Sequence, residues 1–218
     1  MNTKIYQILK AFDISRDNKY CSYIQGTIAL LLVIATALLL SACGQPEVPL
    51  SNDAENADLV TAEKFVDAFY SFDAQELEST LSAAEESIPF IVYYQGWAAG
   101  ANYTIVNRMP CSQDEDDSVS CSITVKDDLM DALGIDFNVT DTYHLSFSDG
   151  KIISVQTSSD DIQVYWDAQD WIWEERPELV DEPCIGYFDG GPTPEKCAQA
   201  MVKGLAEFAA SDEFPNLP

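Results

Sequence analysis

Asp149-Gly150 stands between two runs of strand-forming residues, "TDTYHLSFS" before it and "KIISVQTSSD" after it. A two-residue hairpin turn needs positive φ at both central positions, which Asp-Gly adopts at little cost, so this dipeptide predicts a β-hairpin. With a two-residue loop, Phe147 faces Ile152, Leu145 faces Ser154 and Tyr143 faces Gln156, while His144 faces Val155 on the other side. A bulge would slip that register by one residue. Upstream, "NYTIVNRMPC" and "SVSCSITVKD" flank an acidic stretch and predict a second hairpin with a flexible tip. Two hairpins commit the middle of the chain to an antiparallel sheet.

Around them the period changes to helical. Ala62, Phe65, Val66, Phe69 and Phe72 fall at helical spacing, with Thr61 as a cap. Asp73 to Glu76 has capping-box form and starts a second helix with Leu77 and Leu81 on one face. A third runs from about Pro89 to Gly100, proline suiting its first turn and glycine its end. Residues 129–134 form a short helical turn. After Ser159 or Asp160 a helix carries the stripe Ile162, Tyr165, Trp166, Gln169, Ile172 and Trp173, with Trp171 off it and Pro177 closing it. In the last helix Thr193 caps, Pro194 takes the first position, and Cys197, Met201, Gly204, Leu205 and Phe208 line one face. The fold class is therefore α+β, with no internal repeat.

Residues 27–40, "TIALLLVIATALLL", are free of charge, and Lys4, Lys10, Arg16 and Lys19 precede them. At about 1.5 Å per residue the run falls short of a ~30 Å hydrocarbon core. A basic leader, a short apolar run and small residues predict a secretory signal peptide. Leu40-Ser41-Ala42-Cys43 resembles the lipobox of bacterial lipoproteins. The resemblance implies cleavage before Cys43, a diacylglycerol on its thiol, and stable membrane anchoring, since each buried CH₂ contributes about 0.8 kcal/mol. It implies the cell envelope and, because Gly44 follows the cysteine rather than aspartate, the outer membrane where one exists, on its periplasmic face or at the surface. The charged part of the leader is long for a signal peptide, which leaves open a start downstream of Met1. Residues 43–58, with two prolines and no period, read as a tether.

Beyond residue 42 the chain keeps 7 basic and 35 acidic residues, a formal charge of −28. Such a chain repels nucleic acid. Four cysteines remain after Cys43: Cys111, Cys121, Cys184 and Cys197. An even number in an oxidising compartment favours two disulfides. Three pairings are possible, and local pairing, Cys111 with Cys121 and Cys184 with Cys197, staples a hairpin and pins the last helix. Without a Cys-x-x-Cys, and with His144 the only histidine, no metal site is expected. The acidic loop at residues 114–117 lacks the glycine and the final glutamate of an EF-hand.

Ala68, Phe69, Asp73 and Leu77, then Phe147, Asp149, Gly150, Lys151 and Ile152, then Asp160, follow a pattern that resembles the nuclear transport factor 2-like superfamily, including its SnoaL-like polyketide-cyclase members. The resemblance spans residues 58–175. It implies N-terminal helices packed on a curved antiparallel sheet, cone-like, with a pocket between them. Residues 59–175 would be that domain and residues 176–218 a C-terminal helical extension pinned by a disulfide.

Enzymes of the superfamily place an acid–base group on the pocket wall. The last strand offers only Ser154, Gln156 and Thr157 there, none of them a proton carrier near neutral pH. His144 is the catalytic candidate if the domain is an enzyme. Asp127, Asp128, Asp131 and Asp136 read as a solvated face. Tyr94, Trp97, Tyr143, Gln156 and Trp166 are the candidates for a ligand pocket suited to a small apolar or aromatic molecule. No cofactor is expected. The expected function is a membrane-anchored binding or accessory domain without catalysis. Two alternatives stand: an envelope-assembly partner with an exposed apolar patch on the terminal helix, and a small-molecule isomerase, dehydratase or hydrolase using His144.

Overall fold

The computed structural model describes residues 52–215; the leader, Cys43 and most of the expected tether lie outside them. Three helices come first: α1 (Asn52–Tyr70), α2 (Ala74–Thr80) and α3 (Ile88–Gly100). Strands β1 (Thr104–Arg108), β2 (Ser112–Gln113) and β3 (Val119–Lys126) follow, then α4 (Asp128–Leu133). Next come β4 (Val139–Ser148), β5 (Lys151–Ser159), α5 (Gln163–Glu175), α6 (Pro177–Val180) and α7 (Pro194–Ala209). The sheet is antiparallel in the order β1-β3-β4-β5, with β2 also pairing β3, so the fold is α+β.

The two faces of the sheet differ in chemistry. Val119, Cys121, Ile123 and Val125 of β3 alternate with Val139, Tyr143 and Leu145 of β4 on a buried face. There Tyr143 meets Phe65 and Phe69 of α1 at ring centroid distances of 5.5 and 5.0 Å. The opposite face carries hydroxyl pairs across the strands, Ser122 with Thr142 at 2.9 Å and Thr124 with Thr140 at 3.1 Å. One apolar and one polar face is the usual state of a sheet covered on one side only.

The β4–β5 hairpin turns at Asp149 and Gly150, with φ of 51° and 71°. Phe147 pairs with Ile152 as expected, but the register then slips by one residue. Leu145 faces Val155 rather than Ser154, His144 faces Gln156, and Tyr143 faces Thr157. The slip leaves Ile153 exposed and brings Val155 under cover, so the apolar residues of β5 on either side of the bulge share one face.

Both disulfides are local, Cys111–Cys121 and Cys184–Cys197, with Cα atoms 4.3 and 4.7 Å apart. Asp73 caps α2 by accepting from the amides of Gln75 and Glu76. Three local expectations need correction. Helix α1 begins at Asn52, and the Thr61 hydroxyl donates to Ala57 O inside it instead of capping it. Helix α3 ends at Gly100 as expected, and this glycine also permits close approach: a β-carbon there would come within 2.5 Å of the Glu195 carbonyl oxygen in the first turn of α7. Thr193 stands at the N-cap position of α7, but its hydroxyl donates to Pro183 O and accepts from no amide of the helix. In α5 the buried face runs Val164, Tyr165, Ala168, Gln169, Trp171 and Ile172, so Trp171 is in (7 % exposed) and Trp166 is out (37 %). Tyr165, Gln169 and Ile172 lie on the buried face as expected; Val164 and Ala168 extend it to the side of Trp171 and away from Trp166.

Candidate functional site

Strand β4 presents its two titratable residues of interest to opposite sides. His144 points to the polar face. Its Nδ1 lies 2.9 Å from Ser120 Oγ and its Nε2 3.1 Å from Ser158 Oγ. Ser120 donates its one proton to Asp114 Oδ2 at 2.5 Å, so it accepts from Nδ1–H, and Nε2 accepts from Ser158. Both ring nitrogens are thus engaged. The group lines a shallow, open depression with Asp116, Ser118, Ser146 and Gln156. Aspartate and histidine meet only through a serine hydroxyl, on an open surface. With the neighbouring hydroxyl pairs, the arrangement reads as a polar cross-strand ladder.

Asp141 points the other way. It pairs across the strands with Ile123 and Ser159, and is 1 % exposed. Its Oδ2 has no hydrogen-bond partner. Burial pushes its carboxyl up to about 7; the Tyr94 hydroxyl beside it pulls the other way, and nearby Asp161, Asp127 and Asp160 add to the rise. Tyr70, Tyr94, Tyr103 and Tyr143 all feel its charge. Asp127, 3 % exposed, caps α4 by accepting from Met130 N at 2.8 Å, and burial raises its carboxyl to about 6 against those backbone bonds. Asp161 is raised as well, by burial. An acid with one unpartnered oxygen and a value near neutrality, beside the Tyr94 hydroxyl, can hold or release a proton near pH 7 and accept from a ligand's N–H group.

The expected pocket residues divide. Tyr94 and Tyr143 meet at 6.3 Å on the inner face, both against Phe69. Trp97 is buried on the same helix as Tyr94 and packs on Tyr187 and Phe188. Gln156 lies on the polar face beside His144, and Trp166 is half exposed on α5, against Tyr165. Of the four acidic residues read as a solvated face, Asp131 and Asp136 are exposed, Asp128 is half-buried and accepts from the Asn102 amide, and Asp127 is buried. Asp141 is not among the residues that motif or residue type singles out, but the alternation Val139, Asp141, Tyr143, Leu145 places it on the apolar stripe. Among the described residues no group of three or more His, Cys, Asp and Glu is placed to hold a metal ion.

No family model, no curated protein and no solved structure matches the chain.

Proposed function

We propose that this chain is a lipid-anchored protein of the cell envelope whose folded domain binds a small molecule and does not catalyse. The anchor rests on Leu40 to Cys43 and the leader before them. The observation that carries the binding reading is the inner face, where Tyr94, Tyr143 and the unpartnered Asp141 oxygen converge. Catalysis is left out because no carboxylate orients His144 directly: Asp114 reaches its ring only through the Ser120 hydroxyl. The cone shape and the likeness to the nuclear transport factor 2-like superfamily belong to this proposal. They are supported by the bulges in β1 and in the β4–β5 hairpin, since bulges bend a sheet. The envelope-assembly alternative has less support, because α7 buries Met201, Leu205 and Phe208, and none of the exposed large apolar residues lies on it.

A second reading, acid–base chemistry on a small molecule, gains from one observation: Asp141 titrates near the pH at which such a group works best. In that reading the proton carrier is Asp141, not His144.

Labelled palmitate tests the anchor: it enters the wild type and not Cys43→Ala, and equal labelling of both refutes anchoring at this cysteine. Mass spectrometry of small molecules released from the purified chain tests the domain. A stoichiometric compound recovered unchanged supports binding, and its conversion to a product by the purified chain favours the second reading.

A further inference from the structure

Among the described residues two buried side-chain oxygens lack a hydrogen-bond partner, Asp141 Oδ2 and Tyr93 Oη. One ring packs on Tyr93 itself and on the tyrosine that borders Asp141. Phe188 packs on Tyr93 at a centroid distance of 5.0 Å and on Tyr94, whose hydroxyl faces Asp141, at 5.7 Å. It also meets Trp97 at 5.4 Å and Phe90 at 5.5 Å. Phe188 comes from the loop between the two cysteines of the second disulfide, far along the chain from α3, and fills the aromatic ground that α3 offers.

The loop is built as a separable unit. Phe188 holds φ of 50°, a left-handed conformation that a β-carbon disfavours, between Gly186 at 70° and Gly190 at 73°. Its backbone bonds stay local: Cys184 N donates to Val180 O, Tyr187 N to Cys184 O, and Asp189 N and Gly191 N to Gly186 O. The disulfide to Cys197 fixes the base of the loop, while Ile185, Gly186, Asp189 and Gly190 are exposed. Moving the tip outward therefore keeps these bonds and gives up the ring contacts and the Tyr187 Oη to Gln169 Oε1 bond of 3.3 Å.

Resting on the reading that the domain binds a small molecule, we propose that Phe188 occupies the ligand's place, and that a small aromatic amine displaces it, stacking between Tyr94 and Trp97 with its N–H groups on Asp141. The ring chemistry follows from what Phe188 now touches. The amine follows from the free carboxylate oxygen, since an ammonium donates and accepts nothing. A ring withdrawn from such a site leaves a dry apolar cavity of the kind that takes up a benzene-sized molecule.

Benzylamine and its neutral analogue benzyl alcohol are suitable probes, titrated calorimetrically into the full chain with both disulfides intact. Phe188→Ala should bind benzylamine about ten-fold more tightly than wild type, and Phe188→Leu should fall between them. Benzyl alcohol should bind Phe188→Ala more weakly than benzylamine, and adding Asp141→Asn should erase that preference. Unchanged affinity in Phe188→Ala and Phe188→Leu overturns the proposal, as does a preference for the amine that survives Asp141→Asn. If Phe188→Ala fails to fold, Phe188→Leu carries the same comparison with an apolar side chain retained. Palmitate labelling at Cys43 and recovery of a different bound compound are indifferent to these outcomes, so the plug can fail while the wider reading stands.

Discussion

On β4 the outward His144 has both ring nitrogens engaged by serine hydroxyls, whereas the inward Asp141 keeps an oxygen with no partner. The two lie three residues apart on one strand. By residue type alone, histidine is the group expected to titrate near neutrality and aspartate the one expected to stay ionised. Burial shifts the aspartate to about 7, which puts a group that changes charge near neutrality on the inner face. The alternation of a strand thus separates two roles: the outer face satisfies its polar groups with one another, and the inner face leaves one acid uncompensated in a packed interior.

Adjacent residues sharpen this contrast. Tyr143 is fully buried against Phe65, Phe69 and Tyr94. Tyr143→Ala should cost about 3–5 kcal/mol in denaturant unfolding, because it empties a ring-sized volume in the core. A cost below about 1 kcal/mol would mean the inner face is looser than described. His144→Ala should cost under about 1 kcal/mol, since its partners stay near solvent. It should leave any bound compound in place. Loss of a bound compound, or of a turnover that wild type possesses, on His144→Ala with the fold intact would move the functional site to the outer face.

The hairpin and the local disulfides were legible because they rest on short-range chemistry. Asp149-Gly150 accepts two positive φ values, and cysteines 10 and 13 residues apart close small loops. The slip in register was not legible, because no residue type marks the bulge near Ile153; it follows from the need to cover Val155. Asp141 could have been found, since it sits on the same alternating stripe as Val139 and Tyr143. In a chain with 37 acidic residues, however, a single aspartate reads as solvated surface. The inward turn of Phe188 depends on a left-handed backbone at a non-glycine residue, which nothing in a glycine-rich "CIGYFDGGP" loop announces.

The account turns on the claim that the inner face holds an unpaired acid while the outer face holds a satisfied histidine, and stability against pH tests this most directly. A carboxyl held above its unfolded value keeps a proton that the unfolded chain releases. Its contribution is full below about 3.8 and is lost as pH rises through about 7. At about 1.4 kcal/mol per unit, the loss between pH 4 and pH 8 is at most about 4 kcal/mol. Denaturant unfolding of wild type and Asp141→Asn across that range should show wild type losing stability as pH rises, with Asp141→Asn losing several kcal/mol less. Parallel curves for the two would contradict it.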